Sequence, residues 1–390
     1  MRDFDAIILG AGGAGLMAAA TAGQAGARIL VIDHAAAPGK KILISGGGRC
    51  NFTNTGTVPE RFLSENPHFA KSALARYTQW DFLALVERYG IAWHEKTLGQ
   101  LFCDGSARQI VAMLMEECRK GGVEVRLSTP IGEIGHADGR FMVAGAGAPC
   151  LVIATGGPSI PKMGATGMAY DIARRFGLKV VPPRPALVPF TLGADEILFR
   201  ELSGVACQVT ACVRDVCFDE AALFTHKGLS GPAILQVSSY WRPGDTVSLT
   251  VLPRAAEALK AAKRAMPRAH LKAALGERLP RRLAEALATR IGIETELGNT
   301  PDARLEAAAE VLERLTFRPT GTEGYAKAEV TAGGIDTDEL SSRTMEARAV
   351  PGLFAIGEAV DVTGWLGGYN FQWAWSSGVA AGQAIAARLA

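Results

Sequence analysis

The sequence lacks an excess of charge of either sign, which limits the partners that the whole chain can attract. Its 390 residues include 41 Lys and Arg against 39 Asp and Glu, a net charge of +2. So small a net charge gives no overall attraction to nucleic acid or to a membrane surface. The chain also lacks an apolar run of the ~18 residues that a membrane span needs, and its first residues, MRDFD, lack the basic region of a secretory leader. We therefore expect a cytoplasmic protein with no membrane partner.

Paired cysteines are also missing. The seven cysteines are an odd number, and the sequence contains no C-x-x-C pair. A disulfide framework or a structural zinc site normally shows an even count or such pairs. We therefore expect no disulfide, no metal site and a reducing compartment.

The stretch from Asp5 to Asp33, DAIILGAGGAGLMAAATAGQAGARILVID, carries a pattern that is typical of dinucleotide binding. Two apolar runs, 6–9 and 28–32, suit strands buried on both faces and flank a helix of small residues. Between them, G-x-G-x-x-G is formed by Gly10, Gly12 and Gly15. This spacing permits a tight turn, the approach of a pyrophosphate to the backbone and close packing of helix on strand, while Asp33 can accept from a ribose hydroxyl. The stretch does not distinguish NAD from FAD.

Later segments predict further contacts with the same cofactor. Residues 39–54, GKKILISGGGRCNFTN, offer free N–H groups and a cation to a pyrophosphate or a flavin edge; a flexible surface loop is the alternative. A buried strand ending in ATGG at Thr155 and Gly156, and the C-terminal LFAIGE and GGYNFQWAWSSG, return the chain to the cofactor. After a strand at 123–127, we expect the backbone at Ile131 to extend toward an adenine.

The composition changes after Val181. The proline-rich PPRPALVPF marks a boundary, and short alternating apolar segments from 202 to 250 predict a small antiparallel barrel or sandwich. Residues 254–318 are helical and rich in Ala and Leu. Between Arg254 and Arg290 the local net charge is +7. That charge belongs either to a solvated helical face or to a phosphate-binding surface.

Four strings resemble a known family: GKKILISGGGRCNFTN, GLSGPAIL, AEVTAGGI and GGYNFQWAWSSG. They resemble segments of the NAD(P)/FAD-dependent oxidoreductases of the BaiN/RdsA family, which includes aminoacetone-oxidase-like proteins. The resemblance runs nearly end to end. It implies an α/β fold whose FAD domain, of the two-dinucleotide-binding, glutathione-reductase-like type, is interrupted by a small β-barrel and a helical subdomain. The implied ranges are 1–189 and 345–390 for the FAD domain, 190–252 and 322–344 for the barrel, and 253–321 for the helical insert.

The resemblance also implies which residues hold FAD. The last helix would direct its N-terminus toward the pyrimidine edge of the flavin and stabilise negative charge on the reduced ring. The implied residues are Gly10, Gly12, Ala14, Gly15 and Asp33 at the ADP half; Lys41, Gly46, Gly47, Gly48, Arg49, Thr155 and Gly156 along the pyrophosphate and ribityl chain; Gly357 and Glu358 at the ribityl hydroxyls; and Gly368, Tyr369, Asn370 and Phe371 near the isoalloxazine.

FAD implies hydride transfer through flavin N5. The sequence has no second G-x-G-x-x-G, so NAD(P)H would visit the flavin transiently, or the substrate itself would reduce it. A reductase also needs a proton donor. Cys50 is the first candidate because the neighbouring Arg49 would lower its thiol pKa, with a buried space-filling role as the alternative. His226 is the second candidate, with a core or turn-stabilising role as the alternative.

The activities of the family leave the substrate open. They include oxidation of a small amine, reduction of a steroid ring and reduction of a uridine in large-subunit ribosomal RNA. We expect an oxidoreductase acting on an unidentified substrate, either a small molecule or ribosomal RNA. The alternatives are an rRNA-modifying flavoenzyme that forms dihydrouridine, which the basic insert favours, and a flavin-binding protein without turnover. The sequence gives no indication of an oligomeric state.

Overall fold

The structure is a computed structural model that describes residues 2–193 and 201–389. The part of the predicted barrel at 194–200 lies outside the described residues.

The strands are numbered in chain order. They are β1 (Arg2–Asp3), β2 (Ala6–Leu9), β3 (Ile29–Ile32), β4 (Asn51–Asn54), β5 (Phe62–Leu63), β6 (Trp93–Glu95), β7 (Gln100–Cys103), β8 (Glu124–Arg126), β9 (Gly135–Ala137), β10 (Arg140–Val143), β11 (Ala146–Ala148), β12 (Cys150–Ile153), β13 (Val180–Ala186), β14 (Phe190–Leu192), β15 (Ala206–Val213), β16 (Val216–Phe224), β17 (Gly228–Ser230), β18 (Val247–Thr250), β19 (Leu315–Phe317), β20 (Pro319–Thr322), β21 (Val330–Ile335), β22 (Leu353–Ala355) and β23 (Thr363–Gly364).

The helices are numbered in the same way. They are α1 (Gly13–Gln24), α2 (Lys40–Ile44), α3 (Lys71–Arg76), α4 (Gln79–Arg88), α5 (Arg108–Lys120), α6 (Met168–Arg175), α7 (Pro232–Ser238), α8 (Ala255–Ala265), α9 (Leu271–Gly276), α10 (Arg281–Ile291), α11 (Asp302–Glu313) and α12 (Tyr369–Ala386).

A parallel sheet of five strands, in the order β22-β12-β2-β3-β8, forms the centre of the fold. Every residue of β2, β3, β12 and β22 is buried, as expected for strands that are covered on both faces. In this register Ile7 lies beside Leu30 and Leu151. The predicted α/β class with a parallel dinucleotide-binding sheet is confirmed.

Helices α1 and α12 pack closely because small residues face one another. A methyl group at Gly378 would lie 2.6 Å from the carbonyl oxygen of Ala14, and one at Gly382 would lie 2.8 Å from that of Ala18. The contacting residues advance in the same direction along both helices, so the helices run parallel. Their N-termini therefore point to the same side of the fold, where β2 ends and α1 begins.

A small antiparallel sheet, β4-β7-β6, is attached to α12 through Trp375, which also contacts α4. The indole of Trp375 stacks on Phe82 with centroids 4.4 Å apart and planes at 6°. Its Nε1 donates to the carbonyl oxygen of Phe52 at 2.8 Å. This contact fixes the position of β4 relative to the N-terminal half of α12.

The chain divides into two compact units, Met1–Arg184 with Val330–Ala390, and Pro185–Glu329. The predicted return to the first domain at residue 345 is wrong. The chain returns at Val330, because β21 is fully buried and pairs with β13. Residues 330–344, assigned to the barrel from sequence, belong to the first unit.

The second unit contains a sheet of seven strands in the order β19-β18-β15-β16-β17-β14-β20. Its edge strands β19 and β20 are separated in the chain by Arg318 alone, so the two edges approach within about 8 Å of each other there, as in a barrel. Helices α8 to α11 lie in the predicted helical insert, 253–321. The prediction is wrong after Glu313, where alternating burial accompanies strand β19.

The expectation that the chain has no disulfide is also wrong. Cys212 and Cys217 are bonded to each other. They are directly opposite residues at the end of the β15–β16 hairpin, and a spacing of five residues does not reveal such a pair. The disulfide removes one ground for expecting a reducing compartment. Within residues 2–193 and 201–389, no helix is both long and apolar enough to cross a membrane.

Glu117 on α5 connects three elements of the first unit. Its carboxylate accepts from Gln24 Nε2 at 2.8 Å, Tyr89 OH at 2.5 Å and Lys120 Nζ at 2.9 Å. Burial alone would raise the pKa of Glu117, but these hydrogen bonds outweigh it and lower the pKa to about 2.

We expect Glu117→Gln to destabilise the protein by about 1–3 kcal/mol at neutral pH, because the buried charged acceptor that three donors share is replaced by a neutral amide. A carboxyl whose pKa is lower in the folded state stabilises the fold above its unfolded pKa and loses this effect as the pH falls toward its folded pKa. The difference in unfolding free energy between wild type and variant should therefore narrow progressively as the pH falls from about 5 to about 2. Urea unfolding at several pH values measures it.

Glu116→Gln is the matched control, since Glu116 forms a surface pair with Arg119 and exposed pairs of this kind contribute little to stability. Equal unfolding free energies for the two variants at neutral pH would contradict the role assigned to Glu117.

Candidate functional site

The predicted cofactor residues meet at the carboxyl edge of the parallel sheet. The loops that follow four adjacent strands carry Gly10, Asp33, Thr155 and Gly357, after β2, β3, β12 and β22 respectively. In open parallel sheets, ligands bind at this edge. The structure thus brings together residues that lie more than 300 positions apart in the chain.

The three glycines of the G-x-G-x-x-G motif have different roles. A methyl group at Gly10 would lie 2.5 Å from the carbonyl oxygen of Ala154, and one at Gly15 would lie 2.0 Å from that of Gly10. These two glycines are required by the fold itself. A methyl group at Gly12 would meet no atom within 4 Å among the described residues. The space above Gly12 is therefore open, at the N-terminus of a helix that has no side-chain cap and no acidic residue in its first turn.

An uncapped helix N-terminus of this kind attracts a phosphate, since its first N–H groups have no intrahelical partner. Ala14 belongs to this first turn. A methyl group at Gly357 would lie 2.8 Å from the Cβ of Ala14, so the loop after β22 is in contact with α1.

Asp33 holds the loop between β2 and α1 in place. Its Oδ2 accepts from the backbone N–H of Ala11 at 2.7 Å, and its Oδ1 accepts from that of Ala35 at 2.8 Å. Each oxygen retains a lone pair; a hydrogen bond from a ribose hydroxyl to Asp33 stays a prediction. The backbone N–H of Thr129 donates to the Asp33 carbonyl at 3.0 Å. This contact places the segment that leads to the buried Ile131 beside Asp33.

Glu358 and Lys41, which the resemblance assigned to separate parts of FAD, form an ion pair with N and O 2.5 Å apart. Glu358 also accepts from Ser159 Oγ at 2.7 Å and from the backbone N–H of Thr331 at 2.9 Å. The pair joins α2, the β12 loop and β21. Lys41 and Glu358 are respectively 32% and 19% exposed, so both remain accessible to a ligand. Ser159 and Thr331 are not among the residues predicted from the sequence.

Two buried hydroxyls at this edge have no hydrogen-bond partner in the described parts of the chain: Thr155 Oγ1 and Thr331 Oγ1. The second lies 2.7 Å from the position that a methyl group at Gly157 would occupy, next to Gly156. Buried hydroxyls are normally paired. Together with the open space at Gly12, these atoms fit a polar dinucleotide better than an apolar ligand.

The glycine loop Ser45–Gly48 contacts the small antiparallel sheet. Its three glycines, Gly46, Gly47 and Gly48, all have positive φ, and side chains rarely adopt this conformation. A methyl group at Gly46 would lie 2.7 Å from the ring of Phe102 on β7. The following residue, Arg49, is exposed.

The second glycine pair contacts the same face of that sheet. A methyl group at Gly367 would lie 2.9 Å from the Gln100 side chain, and one at Gly368 would lie 2.9 Å from Asn51 Oδ1. Gln100 and Phe102 are two positions apart in β7, and Asn51 lies opposite Phe102, so all three side chains share one face. We call this the Phe102 face. The two glycine loops, of which one was predicted along the pyrophosphate and ribityl chain of FAD and the other near its isoalloxazine, therefore meet at the Phe102 face.

The side chains at the start of α12 have partners within the protein. Tyr369 OH is hydrogen-bonded to Arg61, and the guanidinium of Arg61 lies 5.3 Å from the centroid of Trp365. The Asn370 amide bonds to both backbone groups of Gly364 at 2.8 and 2.9 Å. Phe371 stacks on Trp375 at 5.5 Å. What α12 offers a ligand is its uncapped N-terminus after Gly368; contact of these side chains with a flavin stays a prediction.

Cys50 does not have the environment that was predicted for it. Its side chain is fully buried, and burial raises the pKa of its thiol well above the usual value; a hydrogen bond from Ser45 opposes this only in part. The expected lowering by Arg49 is wrong, because the Arg49 side chain is exposed while Cys50 points into the core. Cys50 fits the space-filling alternative.

His226 lies in the second unit, at an exposed turn between β16 and β17. Thr225 and Gly228 close this turn through backbone hydrogen bonds of 2.8 and 3.3 Å. The position agrees with a turn residue. A catalytic role for His226 stays a prediction.

Comparison with known proteins gives full-length matches. The family model described as "HI0933-like protein Rossmann domain" matches residues 4–384. The chain is 53% identical to the ribosomal RNA dihydrouridine synthase of Escherichia coli, over 99% of each chain. It is 46% identical to the protein of that name from Haemophilus influenzae, over 97% of this chain and 98% of the relative. It is 28% identical to the 3-dehydro-bile acid delta(4,6)-reductase of Clostridium scindens, over 98% of each.

The match covers nearly all of both units. Three of the four motifs that carry the resemblance lie at the sheet edge and the Phe102 face, and the fourth, GLSGPAIL, spans β17 and α7 of the second unit. The chain belongs to the HI0933-like Rossmann domain family, that of the BaiN/RdsA-type FAD-dependent oxidoreductases.

Proposed function

We propose that this protein is an FAD-dependent enzyme that reduces a uridine of ribosomal RNA to dihydrouridine, with NAD(P)H as a transient reductant. The observation that carries the substrate is full-length similarity, at 53% and 46% identity, to two ribosomal RNA dihydrouridine synthases. Ribosomal RNA thereby replaces a small molecule as the expected substrate. An enzyme that acts on ribosomal RNA works where ribosomes are, so the proposal includes a cytoplasmic location.

The residues at the sheet edge support FAD as the cofactor. The α1 N-terminus above Gly12 and the side chain of Lys41 would hold the pyrophosphate, Asp33 a ribose, and Glu358, Thr155 and Thr331 the ribityl hydroxyls. When bound, the flavin supplies hydride chemistry. The protein residues bind and orient it. Since the sequence has one G-x-G-x-x-G, a nicotinamide would bind only briefly.

Gly12→Val should abolish FAD binding while leaving the fold intact. The added side chain enters the open space and meets no protein atom within 4 Å at its first carbon, yet it blocks the approach of a pyrophosphate. FAD release by heat and the visible spectrum measure loading. Gly276→Val is the matched control, since a methyl group there also meets nothing within 4 Å and the residue ends α9 in the second unit.

Both variants should unfold within about 1 kcal/mol of each other. An FAD-loaded Gly12→Val protein, or a wild-type protein that FMN loads equally well, would contradict the assignment of the sheet edge to FAD.

A basic surface of the second unit supports RNA as the partner. In the structure only some of its cations are free of carboxylate partners among the described residues. Within the +7 segment, Lys260, Lys263 and Arg281 are paired with Glu306, Asp302 and Glu285. Arg282 donates to the carbonyl oxygens of Glu201 and Ser203. Four other cations are exposed, and no carboxylate of the described residues lies within ion-pair distance of them: Arg264, Arg268, Lys272 and Arg278. These four are the ones available to phosphates.

Replacing Arg268 and Lys272 by Gln should weaken binding of single-stranded ribosomal RNA. The slope of log affinity against log salt should fall by about 0.7 for each phosphate that the variant no longer binds. The control replaces Lys260 and Arg281 by Gln, which removes the same charge from cations already paired with carboxylates. Filter binding at several salt concentrations measures both. If RNA affinity fell equally in the two double variants, binding would depend on net charge alone, and this would contradict the assignment of RNA binding to the four exposed cations.

A strain without this gene should lack one dihydrouridine in its ribosomal RNA, and the wild-type gene should restore it, whereas the Gly12→Val gene should not. Mass spectrometry of digested RNA measures the nucleoside. Unchanged dihydrouridine in ribosomal RNA would exclude the proposed substrate and favour a small molecule, such as the steroid that the Clostridium scindens relative reduces.

A further inference from the structure

Reduction of the uracil double bond needs a proton as well as a hydride, and the residue predicted from sequence to donate it, Cys50, is buried with a raised pKa. We propose that His94, held by Asp104, is the proton donor of the reaction. This inference rests on the proposed function and deepens it by assigning a catalytic residue.

His94 and Asp104 form a dyad on the small antiparallel sheet. The Nδ1 atom of His94 lies 2.6 Å from Asp104 Oδ1. Strand pairing fixes both residues, since His94 lies opposite Phe102 in the β6–β7 register and the backbone N–H of Asp104 donates to the carbonyl of Ala92 at 2.9 Å. A carboxylate at Nδ1 selects the tautomer with hydrogen on that atom and leaves Nε2 to exchange a proton.

The dyad lies on the face where the two glycine loops meet. His94 shares the Phe102 face, and its imidazole stacks on the Phe102 ring with centroids 5.9 Å apart and planes at 13°. The same phenyl ring contacts Gly46, and the neighbouring Gln100 contacts Gly367. The imidazole and the glycine loop that the resemblance assigns to FAD therefore both approach the Phe102 ring.

Charged groups of both signs lie around His94. Asp104 is at its Nδ1 atom, and the Nζ of Lys96 lies 5.1 Å from the Phe102 centroid. Arg49 closes the glycine loop, and Glu95 projects from the opposite face of β6. The His94 side chain is 38% exposed, so it exchanges protons with water.

The C5–C6 double bond of uracil becomes a single bond: a hydride whose two electrons originate in NAD(P)H forms the new C–H bond at C6, and the proton from His94 Nε2 forms the new C–H bond at C5. The neutral imidazole then recovers a proton from water. General acid catalysis of this kind contributes about 10²–10⁴-fold.

The test compares His94→Gln with His136→Gln. His136 is a matched control because its imidazole also stacks on a phenyl ring, that of Phe141, at 4.3 Å and 18°, but on the separate sheet of β9 and β10. Dihydrouridine formation on ribosomal RNA is followed against pH, and flavin reduction by NAD(P)H is followed separately.

We expect His94→Gln to slow dihydrouridine formation at least about 10²-fold and to remove the decline in rate that accompanies deprotonation of the donor at high pH. Flavin reduction and FAD affinity should not change. Asp104→Asn should slow dihydrouridine formation and leave flavin reduction unchanged, because the imidazole loses the carboxylate that fixes its tautomer. In NMR titrations, the His94 imidazole signals should shift when FAD is added, while those of His136 should not.

Three results would contradict the role of the dyad and leave the proposed function intact. His94→Gln could form dihydrouridine at the same rate as His136→Gln, or it could slow flavin reduction and dihydrouridine formation equally. The third is that the NMR signals of His94 do not shift when FAD is added. A wild-type protein that forms no dihydrouridine on ribosomal RNA would overturn the proposed function itself.

Discussion

The site depends on the close packing of α1 against α12. At Gly378 and Gly382 the two helices approach so closely that a single methyl group would clash with the backbone of Ala14 and Ala18. Because the helices run parallel, this contact places the uncapped N-terminus of α1 and that of α12 on the same side of the fold. Each terminus presents unpaired N–H groups and a partial positive charge there.

The same contact positions the rest of the cofactor site. From α12, Trp375 fixes the small sheet through Phe82 and Phe52, and the Phe102 face then receives both glycine loops. Along the parallel sheet, Glu358 links Lys41, Ser159 and Thr331. Packing of α1 on α12 thus sets the position of the α1 N-terminus, which suits a pyrophosphate, relative to the α12 N-terminus, where the flavin ring is predicted.

The sequence was sufficient to predict features that depend on local spacing. The G-x-G-x-x-G pattern predicted the strand, helix and Asp33 because each of these follows from a few adjacent residues. Sequence alone did not predict contacts between distant segments. The burial of Cys50, the Cys212–Cys217 bond and the pairing of Lys260 with Glu306 depend on which way a side chain points or on which strand or helix lies opposite. The return at Val330 was missed because the apolar, glycine-containing composition of AEVTAGGI is also typical of a barrel strand. His94 was missed because a single histidine in a strand forms no recognisable motif.

The most direct test of the account is an anaerobic single-turnover experiment. The FAD-loaded protein is reduced, freed of reductant and mixed with ribosomal RNA from a strain that lacks the gene. The account predicts that the absorbance of oxidised flavin returns and that one dihydrouridine forms for each flavin oxidised. Flavin that stays reduced with this RNA, but is reoxidised by a small unsaturated ketone, would contradict it.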